Sequence, residues 1–193
     1  MKILVAGQEY HVDRTQENVI EYIFSIIKAT MAEKTMTFCG VRIDGREVYK
    51  DFEEEIAESI ETIETIEPIL MTEEELAKET LLSIKDYTSR SIEYLNGLAY
   101  HFQTENVTSE TWEDLGKLVE GLMWIQNTTP FYPEYETLFT FTSEMETINT
   151  AVIQQDTGLL GDMIEYEIIP RYQAIQEALE DIGSQEVNGN GAN

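Results

Sequence analysis

Between Ala77 and Phe102 apolar and small side chains recur four and three residues apart without a break: Ala77, Leu81, Ile84, Thr88, Ser91, Leu95, Leu98 and Phe102. At 3.6 residues per turn this spacing lays all eight along one stripe of an α-helix, and no strand presents them on one face. Such a stripe has to be covered by other helices. The run opens at Thr72 with Glu75 three residues later, a capping box. About 30 residues at 1.5 Å each make a rod of about 45 Å. The rest of the chain offers the cover. After the polar loop TENVTS, a second helix carries Trp112, Leu115, Val119, Leu122 and Gln126. A third is expected from Pro133, with Tyr135, Leu138, Met145, Ile148 and Val152, and a fourth from Asp156, with Leu160, Ile164, Ile168, Tyr172, Ile175, Leu179 and Ile182. Short loops predict an up-down-up-down antiparallel bundle of four helices over residues 71–183.

The first third is patterned differently. KILVAGQEYHVD holds two short β-prone runs around Gly7-Gln8, a hairpin signal. Asp13 or Thr15 is the candidate cap of a helix whose apolar residues, Val19, Ile20, Ile23, Phe24, Ile26, Ile27 and Met31, cover a wide arc. TMTFCGVRI then reads as a strand, Asp44-Gly45 as a turn, REV as a return strand and DFEEEIAES as a short helix capped by Asp51. Isoleucines at 60, 63, 66 and 69 recur every three residues, which suits neither element; β-branching predicts a strand over 62–67. Strand, strand, helix, strand, short strand, short helix, strand within about 70 residues resembles the ubiquitin-like β-grasp fold in element order. That resemblance implies a binding module, and the chain runs on past Ile69 without the terminal Gly-Gly of covalent modifiers. The expected class is α+β: a small ubiquitin-like β-grasp-type domain over residues 1–70, the four-helix bundle over 71–183, and a disordered tail over 184–193.

Charge narrows the partners. The formal net charge is −26, with seven Lys/Arg against fifteen Asp/Glu in residues 1–70 and five against twenty-three in residues 71–193. Phosphate contacts need a basic surface, so neither nucleic acid nor an anionic membrane is expected as a direct partner. The opening MKILVAGQEYHVD breaks at Gly7, short of a signal peptide's apolar core, and no stretch approaches the roughly 20 apolar residues of a spanning helix. The expected compartment is cytoplasmic.

Catalytic patterns are sparse. His11 and His101 are the only histidines and neither sits in a Glu-x-x-His pair, so a di-iron bundle is not expected. No Cys/His cluster, EF-hand spacing, phosphate loop or nucleophile elbow occurs, and no metal or other cofactor is expected. Cys39, the one cysteine, reads as a core thiol within a strand, and His101 as a helix-end residue favoured by the dipole. The acids of DFEEEIAE read as a solvated face.

Two stretches are candidates for function. WIQNTTPFYPEYETLFTF places Phe131, Tyr132 and Tyr135 around a two-proline turn, either closing the core or forming an aromatic patch for a partner. GLLGDMIEYEIIPRYQAI puts Pro170 inside the fourth helix, where it predicts a kink. Arg171 falls close to the apolar stripe and Glu167 precedes it by four, the favourable pairing. Glu167, Pro170 and Arg171 are therefore expected to form a structural polar cluster. The expected function is a non-enzymatic interaction module, an adaptor or chaperone-like binder of a basic or amphipathic protein segment. The alternatives are an enzyme or small-ligand binder with a pocket at the domain junction or near Arg171, and mimicry of nucleic acid by an acidic surface.

Overall fold

A computed structural model describes residues 1–182; the tail expected over 184–193 lies outside them. The class is α+β: a five-stranded mixed sheet followed by a helical region. The chain divides into two compact units, Met1–Ala77 and Lys78–Asn193.

In the first unit β1 (Lys2–Val5) and β2 (Gln8–His11) form an antiparallel hairpin. Its turn is Ala6-Gly7, both at positive φ, one residue earlier than Gly7-Gln8. Asp13 does not cap α1 (Val19–Lys34); its carboxylate is taken by the amide and hydroxyl of Thr15, and the helix opens at Asn18. From α1, Ile23, Phe24 and Ile27 are buried, while Val19, Ile20, Ile26 and Met31 pack partly exposed around the core. The hairpin of β3 (Thr37–Ile43) and β4 (Arg46–Val48) turns at Asp44-Gly45, again with φ positive at both residues. The Asp44 carboxylate also accepts the amides of Glu64 (3.1 Å) and Thr65 (2.7 Å), tying the turn to β5 (Thr65–Met71).

The strand order is β2-β1-β5-β3-β4, with β1 and β5 parallel and the other pairs antiparallel. β5 begins three residues later than expected because the three-residue isoleucine spacing crosses two elements. The residues after α2 (Phe52–Ser59) wind back on Ser59, whose carbonyl accepts the amides of Thr62 and Ile63, and only then does the chain extend. The register of β3 against β5 slips between Phe38 and Gly40, which makes Cys39 the extra residue of a bulge. A Cβ on Gly40 would stand 2.7 Å from the Val48 carbonyl oxygen, so the bulge requires glycine there. Cys39 is half-buried at this irregularity and not in the core, and burial pushes its thiol up.

Among the described residues the helical region has six α-helices. α3 (Glu73–Gln103) starts with the expected box: the Thr72 hydroxyl accepts from the Glu75 amide, and the Glu75 carboxylate accepts from the Thr72 amide. Leu81, Ile84, Thr88, Leu95, Leu98 and Phe102 of its stripe are buried. α4 (Ser109–Thr128) buries Leu115, Leu118, Leu122 and Ile125; Trp112 is exposed, so the packed face is rotated from the expected one.

The third expected helix is broken. Two short 3-10 turns, Thr129–Phe131 and Pro133–Tyr135, precede α5 (Glu136–Phe139), and α6 (Thr142–Gln154) starts anew after an extended Thr140. The fourth continues from α7 (Thr157–Met163) through a π-helical segment, Ile164–Ile168, into α8 (Ile169–Ala178). Its buried residues explain the π turn. Leu160, Ile164, Ile168 and Tyr172 come at three successive spacings of four. In an evenly wound helix each such step drifts about 40°, so the fourth would leave the core by about 120°. A wider turn with one extra residue cancels that drift. It also suits Pro170, which has no amide and crowds the carbonyl four residues back; the proline stands in the first turn of α8, just past the π turn.

Candidate functional site

Arg171 does not take the expected partner. Arg171 bonds Glu144 of α6 (Nη2 to Oε1, 2.6 Å), not Glu167. Glu167 is exposed. The π turn is the reason: the Ile169 amide bonds the Ile164 carbonyl five residues back, so the four-residue alignment of Glu167 with Arg171 is lost. Arg171 Nη1 also donates to the carbonyls of Thr137 and Thr140, both at 3.0 Å, and its guanidinium lies 5.4 Å from the Phe141 ring centre. These carbonyls are free because the helix breaks there, and the Phe141 amide that would have closed the turn donates to Gln126 Oε1 (2.7 Å). Arg171 and Gln126 thus replace the backbone bonds of the missing turn. With three contacts to its own chain, Arg171 acts as a clamp and leaves little for an anionic ligand.

The aromatic turn largely closes the core. Tyr132, Phe139 and Phe141 are buried; Tyr132 meets Phe139 edge-on at 6.3 Å and Tyr135 stacks on it at 5.4 Å. The proposed patch of Phe131, Tyr132 and Tyr135 is corrected accordingly: the 3-10 turns alternate the rings, turning Tyr132 inward, leaving Tyr135 half-buried and Phe131 77% exposed.

A concave site lies elsewhere, between α3 and α4. One cleft of about 410 Å³ is lined by Glu93, Tyr94, His101, Glu110 and Asp114 among others. A second, of about 170 Å³, is lined by Tyr87, Ser91, Tyr94, Asp114 and Lys117 among others. The two clefts adjoin at Tyr94 and Asp114, which line both, and together they are called the groove. Its α3 wall is Tyr87, Ser91, Tyr94, Leu98 and His101, spaced four, three, four and three. On α4, Glu110, Asp114 and Lys117 line the clefts, and Gly121 and Trp124 continue their four-three spacing beyond them, each of the five one residue ahead of a buried one. At 1.5 Å per residue, Glu110 to Trp124 spans about 21 Å, close to four helical turns.

Aromatic rings pack beyond the Tyr87 end of the groove. Tyr87 meets Trp124 at 5.6 Å and the buried Tyr172 at 6.0 Å, both edge-on. Gly121 makes room: a Cβ there would fall 1.8 Å from the Tyr87 hydroxyl. Tyr94 and Trp124 remain 49% and 39% exposed. At the centre, Asp114 accepts from Lys117 Nζ (2.9 Å), and Tyr94 lines both clefts beside it. Partial burial and the neighbouring Asp114 carboxylate push the Tyr94 phenol up to about 12. Tyr94 and Lys117 beside it hold Asp114 below its ordinary value. This contribution to stability is present above the unfolded carboxylate value of about 3.9 and is lost as pH falls through the lowered folded one, so the groove stays anionic through the usual carboxylate range. The groove escaped the sequence reading, although Tyr87, Tyr94 and His101 recur every seven residues beside the apolar stripe.

Among the described residues no group of three or more His, Cys, Asp or Glu side chains is arranged to hold a metal ion, and no helix is long and apolar enough to cross a membrane.

Comparison with known families adds the lineage. The model of a domain of unknown function, DUF8042, matches residues 79–178, more than half of the chain. The chain belongs to this family. The model of the TP0873 N-terminal domain matches residues 1–72. No curated protein and no solved structure matches. The α3/α4 groove lies wholly within the DUF8042 segment.

Proposed function

We propose that the protein is a non-enzymatic interaction module whose α3/α4 groove takes an amphipathic basic helix of a protein partner. The observation that carries this reading is the repeated four-three spacing on both walls of an open groove. That is the geometry a third helix packs into, ridge into groove. Tyr94 and Trp124 are exposed rings of the type that dominates interface energetics. Glu93, Glu110 and Asp114 against Lys117 favour a cationic occupant, as does the acidic chain around them. In the same reading the first unit is a β-grasp-type binding domain, supported by its strand order and parallel central pair. The helical region is a four-helix arrangement in which α5 with α6, and α7 with α8, each represent one interrupted helix. A cytoplasmic location belongs to this proposal.

The test is a titration of the full chain with a synthetic amphipathic helix of about 18 residues, leucine at four-three spacing and lysine elsewhere. The controls are a scrambled peptide of the same composition and a glutamate version. Fluorescence anisotropy should show binding of the ordered lysine peptide that weakens about tenfold in Tyr94→Ala and Trp124→Ala, with melting temperature retained, and is unchanged in Phe131→Ala. Equal binding of the scrambled peptide, or indifference to both groove variants, rejects the groove.

A further inference from the structure

Asp114 stands where the two clefts of the groove meet. It is the most covered of the groove's carboxylates, with 14% of its side chain exposed, whereas Glu93 and Glu110 are open to water. A carboxylate so covered requires close hydrogen-bonding and cationic company. The company it has comes from its own helix: Lys117, one turn on, reaches back while 68% of its side chain remains in solvent. Lys117 is the only Lys or Arg among the described groove-lining residues. Lys85, Arg90 and Arg171 are engaged elsewhere, with the Glu180 carbonyl, Asp86 and Glu144.

We infer that Asp114 and Tyr94 form the seat for one Lys or Arg side chain of the partner helix, and that Lys117 occupies this seat until the partner displaces it. The inference rests on the groove reading above and names the chemistry at its centre. An ionised carboxylate offers about four acceptor sites, of which Lys117 uses one, so an incoming guanidinium finds acceptors before Lys117 has left. Displacement costs little, because a short-range pair with an exposed lysine contributes little to stability and its flexible stem returns the ammonium to water. The Tyr94 ring lines both clefts beside the carboxylate and offers the stem of the incoming side chain an apolar face. A partner with an apolar residue at this register gains nothing from the seat and leaves Lys117 in place. The device therefore selects for a cation at one central position, beyond the general preference of an acidic surface for a basic helix.

Two versions of the lysine–leucine peptide test this, one with arginine and one with glutamine at the central polar position. Lys117→Met should bind the arginine peptide about two- to fivefold more tightly than the unmodified chain does. The glutamine peptide should gain less. Lys50→Met makes the same change in net charge at an exposed residue that does not line the groove, and should leave both affinities unchanged. In an Asp114→Asn background the gain from Lys117→Met should vanish. An unchanged or weakened affinity in Lys117→Met overturns the inference, as does an equal gain in Lys50→Met, which would reduce the effect to net charge. Persistence of the gain without the Asp114 carboxylate overturns it too. Failure of the groove itself is visible separately, since Tyr94→Ala and Trp124→Ala would then bind like the unmodified chain.

Discussion

The ion pairs around the sheet and the Arg171 cluster of the helical region hold their charges in opposite ways. On the sheet of the first unit, Lys2 meets Glu9, Arg42 bridges Glu47 and Glu67, and Arg46 meets Glu55, all with more than a third of each side chain in solvent. The strands pair without these four contacts, so these charges decorate a finished structure. In the helical region Arg171 and Glu144 are 26% and 7% exposed, and they complete backbone that no helix completes. The contrast teaches that an ion pair is valued by what would be left unsatisfied without it, not by its length: the Arg42 contacts, at 2.8 and 2.9 Å, are nearly as short as the 2.6 Å contact of Arg171.

The sharpest way to break this comparison is Arg171→Ala. It strands the covered Glu144 carboxylate and two carbonyls, and should cost about 3 kcal/mol of stability in urea denaturation followed by circular dichroism. Gly161→Ala comes next. Its Cβ would lie 2.5 Å from Gln103 Cγ and 2.9 Å from the Ala99 carbonyl oxygen, so α3 and α7 must part, at about 1–3 kcal/mol in the same measurement. The smallest effect belongs to the first unit: Arg42→Ala removes two ion pairs and should cost under about 1 kcal/mol. If Arg42→Ala costs as much as Arg171→Ala, the distinction between decorating and completing charges collapses.

Signals confined to one element were legible from the chain. The Thr72–Glu75 box, the Asp44-Gly45 turn and the α3 stripe each depend on residues within a few positions of one another. What was missed depends on distance or on departures from even winding. Glu144 is 27 residues from Arg171, and helical phasing compares a residue only with neighbours on its own helix. The break at Thr140 is stabilised by Gln126 and Arg171, side chains from two other helices, so nothing local announces it. Tyr132 and Phe131 are adjacent and equally aromatic; only the 3-10 turns decide which goes inward. The π turn did leave a trace, in the three consecutive spacings of four from Leu160 to Tyr172, but phasing at a constant 100° per residue averages it away. The groove was hidden for another reason. Its Tyr87, Tyr94 and His101 repeat runs one residue ahead of a stronger apolar repeat, and polar-aromatic positions beside a core seam look like ordinary flank.

The π turn also sets which changes of length the last long helix can absorb. It stores one residue beyond what even winding needs. Deleting a residue within Ile164–Ile168 restores the regular pitch and leaves Arg171, Tyr172 and Ile175 on their present bearings. Deleting one inside α8 swings everything beyond it through about 100°. The helix carries a single residue of slack, stowed just ahead of the side chain whose direction the break between α5 and α6 depends on.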